Sequence, residues 1–212
     1  MATYNLEEQD KIDNLKSWWD SYGVSVIIVV STLVATIGGT QAWKYYQKQQ
    51  ADQAADLYVL LQQVKSTEDP VKISDAAHLL MEGFSSSGYA PRAAMLAARA
   101  NVVGGDAKRA QEQLQWVMDK AEEPELKDLA RLRLAGVLLD EKKYNEALRL
   151  LEGKHGESFA GLYADRKGDV LNATDKIVEA RQAYQIAVDK LDKKNTYHNV
   201  VQMKLDALRE VR

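Results

Sequence analysis

The chain has no cysteine among its 212 residues. That excludes disulfide staples, thiolate metal sites and a cysteine nucleophile, and it suits a domain facing an oxidising compartment without requiring one. Histidine is scarce too: His78, His155 and His198 stand far apart, and none has another four residues away to share a metal. Each reads as a surface or packing residue. Neither GxxxxGK[ST] nor GxGxxG is present. Gly83-Phe84-Ser85-Ser86-Ser87-Gly88 lacks the G-x-S-x-G spacing of a nucleophile elbow and follows no strand, so it reads as a helix-ending loop. The acid pairs Glu122-Glu123 and Asp140-Glu141 fall at expected helix ends and read as solvated charges. No catalytic residue, cofactor or metal is expected.

Charge of one sign is also missing. Residues 1–20 set Lys11 and Lys16 against Glu7, Glu8, Asp10, Asp13 and Asp20. With 28 basic and 31 acidic side chains in all, 26 of each remain in residues 44–212. A balanced domain lacks the basic face that nucleic acid selects, so nucleic acid is not expected as a partner.

One stretch has no charge at all: the residues between Asp20 and Lys44, from Ser21 to Trp43. As a helix it would be roughly 34 Å long, enough to cross a hydrocarbon core of about 30 Å with some tilt. Its Ser and Thr hydroxyls can bond back to the helix's own carbonyls, which costs less in lipid than a charge. Trp18, Trp19 and Tyr22 precede it and Trp43, Tyr45 and Tyr46 follow, where amphipathic rings favour the headgroup layer. The rival reading is a buried core helix. A cleaved signal does not fit, because the start is acidic, the apolar core too long and Gly39-Thr40-Gln41-Ala42-Trp43-Lys44 a poor cleavage site. An uncleaved anchor over residues 23–43 is the expectation. Lys11 and Lys16 on one side balance Lys44 and Lys48 on the other, so the positive-inside rule does not orient it. Leu6, Ile12, Leu15, Trp18 or Trp19, and Tyr22 form a stripe, from either a short helix on the membrane or a simple extension of the anchor.

Residues 44–66 carry no Gly or Pro and predict a helical stalk, packing through Ala51, Ala54, Ala55, Tyr58, Leu61 and Val64. Ser66-Thr67-Glu68-Asp69-Pro70 is expected to stop it. A helix over 73–85 follows, starting near Ile73 and capped by Ser74 or just before it. Then the sequence repeats. Ala98, Ala135 and Gly168 are each followed twelve residues on by an alanine (Ala110, Ala147, Ala180) and four later by a bulky residue (Leu114, Leu151, Tyr184). The small residues recur after 37 and 33 positions, bracketing the 34 of a tetratricopeptide repeat. Antiparallel helices approach closely only where facing side chains are small, and the bulky residue fills the adjoining groove. Repeats are expected at about 91–123, 125–153 and 157–192, closed by a capping helix at 196–212 through Val200, Met203, Leu205 and Leu208. The expected class is all-α, with one N-terminal transmembrane helix continuing into a tetratricopeptide-repeat-like α-solenoid.

An acidic tail, one anchor followed by Trp43-Lys44-Tyr45-Tyr46, and these repeats resemble the YfgM-type ancillary subunits of the SecYEG translocon. The local likeness lies in Ser87-Gly88-Tyr89-Ala90, Ala164-Asp165-Arg166-Lys167-Gly168-Asp169 and Val201-Gln202-Met203-Lys204. The resemblance implies a single-pass inner-membrane protein of type II. Residues 1–22 would be cytoplasmic and 44–212 periplasmic. The implied partners are SecYEG and the chaperone PpiD, with newly exported, unfolded proteins nearby and the bilayer around the anchor. A cytoplasm-facing adaptor or regulator, or an assembly factor for an envelope complex, remains the alternative.

The first helix of each repeat would line a concave groove. Its projected positions are Arg92, Met95, Arg99 and Val102, then Leu129, Leu132, Gly136 and Leu139, then Leu162, Asp165, Asp169 and Asn172. Such a groove is apolar at one end and acidic at the other, and suits a partner helix or an unfolded segment. Leu132, Leu139 and Leu162 read equally well as core. These positions lack the converging Lys and Asn that would clamp a terminal carboxylate.

Overall fold

The structure, a computed structural model, describes residues 6–66 and 69–208, with side chains from Asp10 onward. The Leu6 side chain, Thr67 and Glu68 of the expected stop, and residues 209–212 of the expected capping helix lie outside them. Among the described residues every regular element is helical: α1 (Leu6–Lys65), α2 (Pro70–Gly83), α3 (Tyr89–Val103), α4 (Ala107–Lys120), α5 (Pro124–Asp140), α6 (Tyr144–Leu151), α7 (Ala160–Asn172), α8 (Ile177–Lys190) and α9 (Thr196–Ala207). A short 3-10 turn, Glu157–Phe159, precedes α7. The chain divides within α1 into two compact units, residues 1–50 and 51–212.

In the first unit, α1 exposes Val24, Ile27, Ile28, Val29, Val30, Leu33, Val34 and Ile37. An apolar surface of that extent is unfavourable in water and is what a hydrocarbon interior covers, and the helix is long and apolar enough to cross a membrane. The polar groups in it are satisfied locally, as the sequence suggested. Thr32 and Thr36 donate to the carbonyls of Ile28 and Thr32 at 2.8 Å, and Thr40 donates to that of Ile37 at 2.9 Å. Trp18 packs on Tyr22 and Trp43 on Tyr46, at ring separations of 5.9 and 6.2 Å. The Trp19 ring folds over Gly23, where a Cβ would meet it at 3.1 Å.

The second unit stacks helix hairpins: α3 on α4, α5 on α6, α7 on α8, with α2 before them and α9 after. The nine repeat positions read from the sequence are all buried, from Ala98, Ala110 and Leu114 to Gly168, Ala180 and Tyr184. Size is matched across each hairpin. Where Leu114 and Leu151 are the bulky residues, alanine stands opposite. Where Tyr184 is, the position is Gly168, and a Cβ there would fall 2.5 Å from the tyrosine ring. At the front, Ala54 and Leu61 of α1 are buried with Ile73, Ala77 and Leu80 of α2 and Ala90, Ala93 and Ala97 of α3. Tyr58 and Val64 pack partly buried against that cluster, while Ala51 is exposed.

Three details differ from expectation. The second helix begins at Pro70, not Ile73, because Asp69 accepts the amides of Val71 and Lys72 and proline suits the first helical position. Ser74 is consequently no cap. It is buried, with its hydroxyl accepting from Asn101 Nδ2 at 3.2 Å and Gln113 Nε2 at 2.9 Å, and Asn101 also donates to Gln113 Oε1 at 2.8 Å. This closed polar cluster fixes α2 against α3 and α4. The buried face of α9 is Val201, Leu205 and Leu208, whereas Val200 and Met203 are exposed. The helix is turned because Lys204 must reach Asp165 and Asp169 of α7, at 2.8 and 2.7 Å.

The short α6 leaves a segment before α7 that is tied down by polar contacts. The Asp128 carboxylate accepts from the Gly156 amide at 2.8 Å and from Arg131 Nη1 at 2.9 Å. Arg131 also donates to the Lys154 carbonyl, and the Tyr163 hydroxyl donates to the Asp128 carbonyl, both at 2.9 Å.

Gly168→Ala is expected to destabilise the domain by about 1–3 kcal/mol through overpacking. Combining it with Tyr184→Leu restores the Ala–Leu pairing of the other hairpins, so thermal unfolding of the double variant should recover much of that loss. Burial, reinforced by Asp169, pushes the Tyr184 hydroxyl's pKa well above its ordinary value. Its contribution is therefore intact below about pH 10 and lost as the unfolded tyrosine ionises above it. Denaturant titrations should show stability falling more steeply above pH 10 in the native chain than in Tyr184→Phe.

Candidate functional site

The row that repeat geometry makes concave is built by α3, α5 and α7, with α5 packed on both neighbours. At its start Arg92 donates through Nη2 to both Glu123 oxygens, at 3.0 and 2.8 Å, and through Nη1 to the Gly88 carbonyl at 2.6 Å. Glu123 stands at the N-cap position of α5, so this exposed pair ties the start of α3 to the start of α5. Met95 is 5% exposed and belongs to the core. Leu129, Leu132 and Leu139 are half-buried against the same core, and Leu162 is half-buried too.

The acidic end of the row is occupied from within the chain. Asp165 is 1% exposed, accepting from Lys204 Nζ and the Tyr197 hydroxyl. Asp169 accepts from Lys204 Nζ, from the Tyr184 hydroxyl at 2.9 Å and from Arg166 Nη1 at 3.3 Å. Burial first, and Asp165 second, push the pKa of the Tyr197 hydroxyl up. Both carboxylates thus seat α9 on α7. Asn172 is exposed at the end of that helix.

Arg99, Val102 and Gly136 do come together. They line one cavity of about 400 Å³, and with them stand Arg133, Arg166 and Asp140. Arg133 and Arg166 were missed because the projection passed from Leu132 to Gly136 and from Asp165 to Asp169, stepping over the residue that follows each first position. A signal existed: both arginines lie two positions before the small residue of their repeat, Ala135 and Gly168. A second cavity, about 660 Å³, lies among α4, α5 and α6, with Trp116, Leu134, Leu138 and Leu150 as its apolar lining.

The histidines play local parts. His78 contacts Glu82 at 3.0 Å, the His155 ring stacks on Tyr163 at 4.2 Å, and His198 Nε2 is buried. Among the described residues no group of three His, Asp or Glu side chains is placed to hold a metal ion. Of the acid pairs, Glu141 is bonded to Lys143 at 2.8 Å and Gln111 at 2.6 Å, which together hold its pKa below the usual carboxylate value. On the apolar helix, Trp18, Trp19, Tyr22, Trp43, Tyr45 and Tyr46 are all exposed.

A family model described as a tetratricopeptide repeat-like domain matches residues 16–210. Three relatives each bear the name ancillary SecYEG translocon subunit. That of Neisseria gonorrhoeae is 30% identical over 97% of this chain and 99% of its own length. That of Haemophilus influenzae is 27% identical over 87% and 90%, and that of Escherichia coli 26% identical over 95% and 96%. No solved structure matches the chain. With a domain match over almost its whole length and relatives aligned nearly end to end, the chain belongs to the ancillary SecYEG translocon subunit family, built on a tetratricopeptide repeat-like domain.

Proposed function

We propose that the chain is a membrane-anchored protein-binding module of the Sec translocon. In this reading it places a tetratricopeptide-like domain where exported proteins emerge and links them to a periplasmic chaperone, PpiD. Residues 1–22 lie in the cytoplasm, 23–43 cross the inner membrane and 44–212 face the periplasm. The observation that carries the reading is the coupling of one membrane-length apolar helix to a helical-repeat domain in a family whose relatives are named as translocon subunits. The fold supports it physically. Its buried polar clusters, Ser74 with Asn101 and Gln113, Asp128 with Arg131 and Tyr163, and Asp165 and Asp169 with Lys204, are tied up in holding helices together, which favours surface recognition as the use of the domain. An anchor raises the effective concentration of a domain beside its partner, so a weak interface suffices.

The aromatic flanks Trp18, Trp19, Tyr22, Trp43, Tyr45 and Tyr46 set the depth of the helix in the bilayer and are available to a neighbouring transmembrane helix. Partner contact on the domain runs along the concave row, through Arg92, Arg99 and Val102 and past Leu129, Leu132 and Leu139. Met95, Asp165 and Asp169 serve that row from behind, as core and as the seat of α9.

Photo-crosslinkers placed at Trp43 and at Val102 in intact membranes should recover SecYEG subunits from the first site and chaperone or exported chains from the second. Recovery of neither from cells actively exporting protein would overturn the reading.

A further inference from the structure

The concave row gathers more positive charge than the fold uses. Arg99 of α3, Arg133 of α5 and Arg166 of α7 open onto the same cavity, whose walls include Ala98, Leu114 and Val137. Neither Arg99 nor Arg133 has a hydrogen bond or ion pair among the described residues. Arg99 and Arg133 keep exposed surface, and the pKa of Arg133 is lowered first by loss of water around its guanidinium and second by the neighbouring charge of Arg99. Arg166 lies across Gly136, where a Cβ would stand 3.6 Å from Cζ and 3.8 Å from Nε. One of its nitrogens reaches Asp169, but its Nε is buried and has no partner. A buried N–H left unbonded costs free energy until an acceptor arrives. Asp140 at the rim and Asp169 behind Arg166 offset part of the charge and leave Arg99 and Arg133 uncompensated.

We propose that this cavity receives an acidic segment of a partner protein, bearing two side-chain carboxylates beside an aliphatic residue. Arg99 and Arg133 each take a carboxylate, the unpartnered Arg166 Nε–H completes the second, and Val102, Leu114 and Val137 cover the aliphatic chain. Guanidinium forks match carboxylates bidentately, and two uncompensated guanidiniums fit two side-chain carboxylates better than one chain terminus. The idea rests on the protein-binding reading above and adds the chemistry that such a module selects.

The test uses the full chain in discs of uncharged lipid. A short fluorescent peptide with two glutamates and a leucine is compared with the same peptide carrying glutamines, by anisotropy. The glutamate peptide should bind, lose affinity as salt rises, and bind about tenfold more weakly to Arg99→Gln and to Arg133→Gln. The glutamine peptide should not bind, and Arg149→Gln on α6 should behave as the native chain. Because Arg99 and Arg133 hold no partner, both variants should keep their unfolding temperature. Equal binding of the glutamine peptide, or native affinity in both arginine variants, would overturn the proposal. So would self-association of the chain abolished by Arg133→Gln, since the occupant would then be a second copy. Failed crosslinking to the translocon strikes the proposed function and leaves the peptide result standing. Successful crosslinking with no peptide binding removes this pocket alone.

Discussion

Everything in the repeat domain depends on how closely two antiparallel helices can approach. Small residues at the crossing set that distance, and the bulky residue sixteen positions on fills what is left. The third hairpin makes the constraint visible. Tyr184 occupies the place of a leucine, and Gly168 yields the volume of a methyl group to admit it. The tyrosine then offers its hydroxyl to Asp169, which gathers Arg166 and Lys204 and so seats the last helix. One change of residue size thus leads to the polar network that closes the solenoid. Terminal repeats need such closure, since each repeat buries its apolar face only against the next.

The polar interior follows the same logic. Ser74, Asn101 and Gln113 satisfy one another between α2, α3 and α4. Asp128, Arg131 and Tyr163 secure the segment after the short α6. In each case the groups sit where two helix pairs meet and are bonded to one another, so they specify register without exposing a reactive group. The three arginines of the concave row are the exception. Arg166 is paired with Asp169, but the charges of Arg99 and Arg133 beside it have no partner among the described residues, a cost that the proposed carboxylate-bearing partner would relieve.

The all-α class and the repeat were legible because helix crossing imposes a spacing that any chain must write into its sequence. The membrane-length helix was legible because charge is excluded from it over the whole stretch from Ser21 to Trp43. What escaped was decided by distant contacts. Ser74 near a helix start reads as a cap, yet Asp69 followed by Pro70 is the better local signal and frees the serine for its buried partners. The face of α9 was placed on Val200, Met203, Leu205 and Leu208; Leu205 and Leu208 are buried as read, but with Lys204 reaching α7 it is Val201 that turns inward in place of Val200 and Met203. Asp165 and Asp169 were read as groove because nothing within their own repeat announces Lys204. The arginine cluster joins three repeats, and a projection that steps over Arg133 and Arg166 passes it by.

The proposed role requires the domain after the anchor to face away from the cytoplasm, which the anchor's own flanking charges do not decide. Protease added to intact spheroplasts, with immunodetection of the domain, tests this most directly. The account predicts that residues after the apolar helix are digested from outside while the short acidic tail survives. A domain protected in spheroplasts and cut only in inverted vesicles would contradict it.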